Sequence, residues 1–214
     1  MITDYRVDDK YIVSMTEHTE EYKPLRIILI GYMGAGKTTV GRALSKELNI
    51  PFYDLDWYIE SRMRKTVKQI FDERGEEGFR MIEQSMLHEV AEFENVIISC
   101  GGGTPCFFDN MEYMNGQAET VYLKAETDVL YKHLLMGKSV RPLLLNKTAD
   151  EVNLFIREQI KHREPFYTKA KHVLDVSLMD SYDKIQISVN QLCQLLKLNN
   201  CLLYTSPSPR DVEE

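Results

Sequence analysis

The sequence predicts an α/β fold in three layers, in which helices flank a mainly parallel sheet of five strands. Short apolar runs rich in β-branched residues recur along the chain, as strands buried on both faces require. Amphipathic helical segments separate these runs, an alternation typical of parallel sheets covered by helices. The 214 residues, 43% hydrophobic and 28% charged, suffice for one globular domain with a substantial core.

Predicted strands and helices alternate from residue 26 onward. The strands are expected at RIILI (26–30), PFYDLD (51–56), NVIIS (95–99), TVYLK (120–124) and HVLDV (172–176). The helices are expected at TTVGRALSKELN (38–49), FRMIEQSMLHEVAEF (79–93), 128–135, EVNLFIREQIKHRE (151–164) and SYDKIQISVNQLCQLLKL (181–198). In the first helix, Val40, Leu44 and Leu48 fall on one face, which identifies the side packed on the sheet.

The domain is predicted to span residues 25–198. Residues 1–24 are polar and acidic without a clear period, so we expect a flexible N-terminal extension. Residues 199–214 contain a Pro-Ser-Pro core that cannot continue a helix, and they resemble a translated sequencing adapter more than native protein. We expect this tail to be disordered. The polar, proline-containing stretch 137–149 is predicted to form a small lid.

Charge and hydropathy argue against several classes of protein. A net charge of −7 argues against a nucleic-acid binder that works by bulk charge. No apolar run approaches the roughly 20 residues of a membrane span, and the polar start is not a signal peptide. The sequence therefore predicts a cytoplasmic protein that binds neither nucleic acid nor membrane, and we expect a monomer.

A glycine-rich loop follows the first strand. Its sequence, GYMGAGKT over residues 31–38, matches G-x-x-x-x-G-K-[ST] between a buried strand and an amphipathic helix. Glycines permit a backbone that cradles phosphates, and the helix N-terminus adds partial positive charge. Lys37 is expected to reach the β- and γ-phosphates, and the Thr38 hydroxyl to ligate Mg²⁺. The residues expected to bind ATP here are Gly34, Ala35, Gly36, Lys37, Thr38 and Thr39.

Two aspartates end the second predicted strand. In an extended chain alternate side chains share a face, so Asp54 and Asp56 are expected to point the same way. Such close negative charges repel unless a cation or proton donor lies between them. Beside a nucleotide, Asp54 can hold a metal-bound water while Asp56 accepts a proton from the attacking hydroxyl.

The motifs together resemble bacterial-type shikimate kinases. The resemblance runs from about residue 26 to 198. The motifs that carry it, in order, are GYMGAGKTTVGRALSKEL, DLDWYIE, IFDERGEEGFRMIE, SCGGGTP and VRPLL. It implies a P-loop kinase fold and an enzyme that phosphorylates the 3-hydroxyl of shikimate with ATP and Mg²⁺, in aromatic amino-acid biosynthesis.

The resemblance also implies roles for individual positions. Asp56 matches the proton acceptor that contacts the ring hydroxyls of shikimate, and Asp54 the aspartate that holds Mg²⁺ through water. Arg141, in VRPLL, matches a catalytic lid arginine that closes over the ATP phosphates. The positions that match the shikimate site are Arg80 and Arg163 at its carboxylate, the turn Gly101, Gly102 and Gly103 against its ring, and Phe71 and Phe79 as apolar walls. A guanidinium can grip a carboxylate through two parallel hydrogen bonds, which agrees with the arginine assignments.

Two alternatives remain open. A kinase of the same fold acting on gluconate or a nucleoside monophosphate is one, since gluconate is also a hydroxylated carboxylate. A non-catalytic nucleotide-binding module that signals by lid closure is the other. The combination of Lys37, Thr38, Asp54 and Asp56 weighs against the second, because a binder does not need an acid that activates a hydroxyl.

Overall fold

A five-stranded, fully parallel sheet organises the chain. The computed structural model describes residues 24–136, 148–179 and 181–198. The strands are β1 (Arg26–Ile30), β2 (Phe52–Asp54), β3 (Val96–Ser99), β4 (Glu119–Lys124) and β5 (His172–Asp175). Their order in the sheet is β2-β3-β1-β4-β5. The predicted α/β class and parallel sheet are confirmed.

Helices flank this sheet. They are α1 (Lys37–Leu48), α2 (Leu55–Met63), α3 (Val67–Ala91), α4 (Asn110–Gln117), α5 (Thr127–Met136), α6 (Ala149–Tyr167) and α7 (Tyr182–Leu195). A short 3₁₀ helix at Thr104–Cys106 follows β3. Among the described residues, none of the helices has both the length and the apolar character that a membrane span requires.

The central strand β1 shows why its sequence is apolar throughout. Ile27, Ile28, Leu29 and Ile30 are all fully buried, because β1 lies between β3 and β4 and has helices on both faces. A continuous apolar run is what such a doubly covered strand requires. The strand ends directly at the glycine-rich loop, so the rigid centre of the sheet positions that loop.

The sequence prediction was incomplete between β2 and β4. The predicted strand 51–56 is wrong at its end, since β2 stops at Asp54 and α2 begins at Leu55. The side chain of Asp54 accepts a hydrogen bond from the Asp56 backbone N–H, which caps the new helix. Helix α4 and the 3₁₀ helix were not predicted, because their sequences have weak periodicity.

Helix α3 is kinked at Gly75. Its first part, from Val67, precedes the predicted start at residue 79, and a capping box at Thr66 and Gln69 opens it. Gly75 has φ 69° and ψ −176°, a conformation essentially restricted to glycine. The helix therefore consists of two helical segments joined at Gly75.

Candidate active site

The glycine-rich loop joins β1 to the start of α1. Gly31, Gly34 and Gly36 have φ of 138°, 85° and 82°, in the region that favours glycine. Gly36 is the N-cap of α1, so the loop passes directly into the helix N-terminus. The partial positive charge of that terminus faces the end of the sheet.

Two side chains at the start of α1 point into the space beside the loop. The Lys37 ammonium group donates hydrogen bonds to the carbonyl oxygens of Gly31 (2.9 Å) and Tyr32 (3.0 Å). The Thr38 hydroxyl donates to Asp54 Oδ2 at 3.0 Å. A lysine cation, a hydroxyl and a carboxylate therefore meet at the carboxyl end of the parallel sheet, where ligands bind in open α/β folds.

Asp54 is held from three sides. Its Oδ2 accepts from the hydroxyls of Thr38 and Ser99, each at 3.0 Å, and its Oδ1 accepts from the Asp56 N–H at 3.2 Å. The sequence prediction that Asp54 and Asp56 share one face of a strand is wrong, because Asp56 lies in the first turn of α2. The two carboxylates remain electrostatic neighbours.

The environment of Asp56 favours its protonated form. Burial, followed by the negative charges of Asp54 and Glu83, raises the pKa of Asp56 to about 6, although Lys37 acts in the opposite direction. With a pKa of about 6 the carboxylate is still mostly ionised at pH 7, and it is a stronger base than an ordinary aspartate. Asp56 is thus suited to accept a proton from a hydroxyl.

Two arginines flank the glycine turn after β3. A Cβ built on Gly103 would lie 2.8 Å from Nη2 of Arg80, and one built on Gly102 would lie 3.2 Å from Nη1 of Arg163. A Cβ at residue 103 would force the Arg80 guanidinium to shift, so glycine permits the close approach seen here. Arg80 lies on α3 and Arg163 on α6, so two helices that are distant in the chain bring their arginines to the same turn.

A buried carboxylate orients the first of these arginines. Arg80 Nη1 donates to Glu83 Oε2 at 2.8 Å, and Glu83 is only 1% exposed. Its other oxygen accepts from the Thr104 hydroxyl at 2.6 Å. Arg80 Nη2 reaches the exposed Glu76 only at 3.4 Å. An incoming carboxylate can replace this long, solvent-exposed contact.

A cavity of about 810 Å³ extends from the glycine-rich loop to Gly101 and Gly102 of the turn. Five of the predicted substrate residues are not among those that line it: Phe71, Phe79, Arg80, Gly103 and Arg163. Residues predicted to bind nucleotide, metal or substrate line it: Gly34, Gly36, Lys37, Thr38, Thr39, Asp54, Asp56, Gly101 and Gly102. Phe71 and Phe79 stack at 4.3 Å between ring centroids, and Phe79 lies 5.3 Å from the Arg80 Cζ. Ala35 is buried in the core and Arg141 lies outside the described residues.

Sequence reasoning missed several residues at this site. Some line the cavity: Trp57, Ser99, His133, Met179, Tyr182 and Ile185. His133 Nδ1 lies 2.8 Å from the Gly34 carbonyl oxygen, so it donates a hydrogen bond to the loop. Tyr167 is fully buried and donates its hydroxyl hydrogen to the Gly102 carbonyl. Tyr167 ends the motif RxPxY, so the sequence could have indicated it, whereas His133 belongs to no local motif.

A cation at Thr38 and Asp54 fits the chemistry of these donors. The described residues contain no cluster of three or more His, Cys, Asp or Glu side chains able to hold a metal alone. Mg²⁺ usually takes one or two protein oxygens and completes its shell with water and substrate phosphates. One hydroxyl and one carboxylate beside a phosphate-binding loop are such a donor set.

Comparison with known proteins gives one consistent result. A family model described as shikimate kinase matches residues 33–196. A shikimate kinase of Phocaeicola vulgatus is 56% identical over 167 residues, covering 78% of this chain and 95% of that protein. The crystal structure of shikimate kinase from Bacteroides thetaiotaomicron has TM-score 0.80 and 52% identity, covering 82% of this chain and all of that one. A solved structure of the Acinetobacter baumannii shikimate kinase in complex with shikimate has TM-score 0.71 and 30% identity, covering 82% of this chain and 94% of that one.

Proposed function

The chain belongs to the shikimate kinase family, and we propose on that premise that it transfers the γ-phosphoryl group of ATP to the 3-hydroxyl of shikimate. The product is shikimate 3-phosphate, an intermediate on the route to the aromatic amino acids. The single observation that carries the proposal is the cavity itself. It joins a phosphate-binding loop and the acid Asp56 to the turn flanked by two arginines.

The proposed roles on the nucleotide side follow from charge. Lys37 exchanges its two carbonyl partners for phosphate oxygens when ATP binds. Residues 34–39 supply the loop and helix N-terminus that hold the phosphates. Thr38 would ligate Mg²⁺ directly and Asp54 through water. Mg²⁺, when bound, neutralises charge on the transferring phosphoryl group. Arg141 stays a predicted lid residue with the same task.

The proposed roles on the substrate side rest on the family resemblance and are supported by the position of two arginines at the glycine turn. Arg80 and Arg163 bind the shikimate carboxylate, while the Gly101–Gly103 turn and the Phe71–Phe79 stack contact its ring. That arrangement presents the 3-hydroxyl to Asp56, which removes its proton during attack on the γ-phosphorus. No covalent enzyme intermediate is required, because positioning and charge stabilisation supply most of the catalysis. A cytoplasmic location and a monomeric state remain predictions.

Measuring ADP release with shikimate, gluconate and AMP offered separately tests this assignment. We expect turnover with shikimate and none above the ATPase background with the other two. Turnover with gluconate or AMP alone would favour the alternative kinases. ATP binding without ADP release for any acceptor would favour the non-catalytic module. The Asp56→Asn variant controls for contaminating kinases, because it should lose the shikimate-dependent rate.

A further inference from the structure

Phe107 covers one face of the Arg80 guanidinium. The residue follows the short 3₁₀ helix after the glycine turn, and its ring centroid lies 4.0 Å from Arg80 Cζ. Phe79 is farther away, at 5.3 Å. A guanidinium at such a distance is attracted by the negative face of an aromatic ring. The Arg80 side chain is only 13% exposed, so water weakens this attraction little.

The hydrogen bonds of Arg80 do not fix it completely. Nη1 is held by Glu83, but Nε is buried and has no hydrogen-bond partner among the described residues. Nη2 makes only the long contact with Glu76. One firm hydrogen bond leaves the guanidinium plane free to tilt. The Phe107 ring, 4.0 Å from Cζ, supplies the missing restraint.

Phe107 is itself held in place by the loop around it. Its carbonyl oxygen accepts from the Asn110 N–H at 3.3 Å, and the buried Asn110 side chain donates to the Thr104 carbonyl at 2.9 Å. The Thr104 hydroxyl donates to Glu83, the same carboxylate that pairs with Arg80. The ring and the carboxylate that contact Arg80 therefore belong to one connected unit.

We propose that Phe107 is a positioning residue that sets the plane of the Arg80 guanidinium through a cation–π contact. Arg80 Nη2 then faces the substrate carboxylate without first having to reorient. This proposal rests on the proposed function, since it assigns Arg80 to the carboxylate of shikimate. Phe107 raises affinity for that acid through Arg80 rather than through a reacting atom.

Replacing Phe107 by Tyr, Leu and Ala tests the proposal, with KM and kcat measured by ADP release and the shikimate Kd by calorimetry. Tyr keeps the ring, whereas Leu keeps apolar volume without it. We expect Leu and Ala to raise KM and Kd for shikimate by about 2- to 30-fold, and Tyr to stay near wild type. The ATP KM and kcat should change little. A Leu variant that binds shikimate as well as wild type would overturn the cation–π role.

Phe108→Ala is the matched control. Phe108 is the next residue and is 54% exposed, so its loss should leave the shikimate Kd unchanged. Equal losses in the Phe107 and Phe108 variants would show a general loop effect and overturn the proposal. If wild-type protein releases no ADP with shikimate, the proposed function itself fails. If the wild type is active and all Phe107 variants bind shikimate with the wild-type Kd, only the proposed role of Phe107 fails.

Discussion

The two walls of the cavity are built in different ways. The phosphate wall consists of residues 31–39 with Asp54, so nearly all of it comes from one continuous segment between β1 and α1. The acid wall is the turn Gly101 and Gly102 at the end of β3, and Arg80 of α3 and Arg163 of α6 lie against this turn. One wall is made by local backbone geometry and the other by tertiary packing. Substitutions should therefore act on ATP and on the organic acid separately.

Asp56 stands between the walls, and its substitution should have the largest effect. Asp56→Asn keeps the shape but removes the base, so we expect kcat to fall by about 10²–10⁴-fold while calorimetry shows nearly unchanged ATP binding. In the wild type, kcat/KM for shikimate should fall as the pH drops through about 6, where Asp56 of the free enzyme takes up its proton. Asp72→Asn, an exposed acid on α3, should behave as wild type. Retained turnover in Asp56→Asn would remove Asp56 as the base.

The same substitution should also change stability. The pKa of Asp56 is about 6 in the folded protein against 3.8 for the ordinary group, so the folded state binds its proton more tightly. The free energy of unfolding then decreases as the pH rises from about 4 to 6. Above pH 6 it stays at this reduced level, because Asp56 is ionised in both states. Asp56→Asn should raise the melting temperature at pH 8 and leave it unchanged near pH 4. Equal shifts at both pH values would contradict the pKa assignment.

Arg80→Ala tests the acid wall directly. Losing a buried charge pair with the substrate should weaken shikimate binding by about 2–5 kcal/mol, roughly 30- to 4,000-fold in KM, with the ATP KM unchanged. Arg74→Ala, an exposed arginine on the same helix, is the control. Because Arg80→Ala also removes the charge partner of the buried Glu83, Arg80→Lys should be measured alongside it. An unchanged shikimate KM in folded Arg80→Ala would remove it from the site.

Ser99→Ala tests the phosphate wall, through the hydrogen bonds that hold Asp54. Ser99 donates to the Asp54 oxygen that also accepts from Thr38. Removing such an outer partner should raise the Mg²⁺ concentration for half-maximal ADP release by about tenfold, without altering the shikimate KM. Ser45→Ala removes a hydroxyl bound to the Ile50 carbonyl, away from the cavity, and should not shift that midpoint. If Ser99→Ala leaves the half-maximal Mg²⁺ concentration unchanged, the result argues against Asp54 as a metal partner.

Tyr167→Phe should have the smallest effect. It removes the hydrogen bond to the Gly102 carbonyl but keeps the buried ring, so we expect a three- to tenfold rise in shikimate KM, about 1 kcal/mol. Tyr122→Phe, in the neighbouring ring 5.1 Å away, is the control. If both variants change KM equally, the effect comes from core packing and not from the glycine turn.

The sequence predicted the two walls unequally well, for a physical reason. The glycine-rich loop is a local motif, so its conformation follows from glycines and a helix start that are adjacent in the chain. The assignments of Arg80 and Arg163 came from family resemblance, because local pattern cannot show which segments meet. Ser99 and His133 act through contacts between distant segments and gave no local signal. Glu83 is a local partner of Arg80 on α3, but its second hydrogen bond comes from the distant Thr104. The start of α2 was missed because Asp54 was interpreted as a strand residue and not as a helix cap.

The bend at Gly75 determines the shape of the aromatic surface beside Arg80. Residues 71 and 79 would be about 12 Å apart along an unbroken helix, since each residue advances the axis by 1.5 Å. Their rings instead stack at 4.3 Å, which only a corner between them permits. A Cβ at residue 75 would touch nothing within 4 Å, so steric room does not explain the glycine. The stacking of these two rings thus depends on the backbone torsions of a single residue, and straightening the helix would separate the rings while both stay in the sequence.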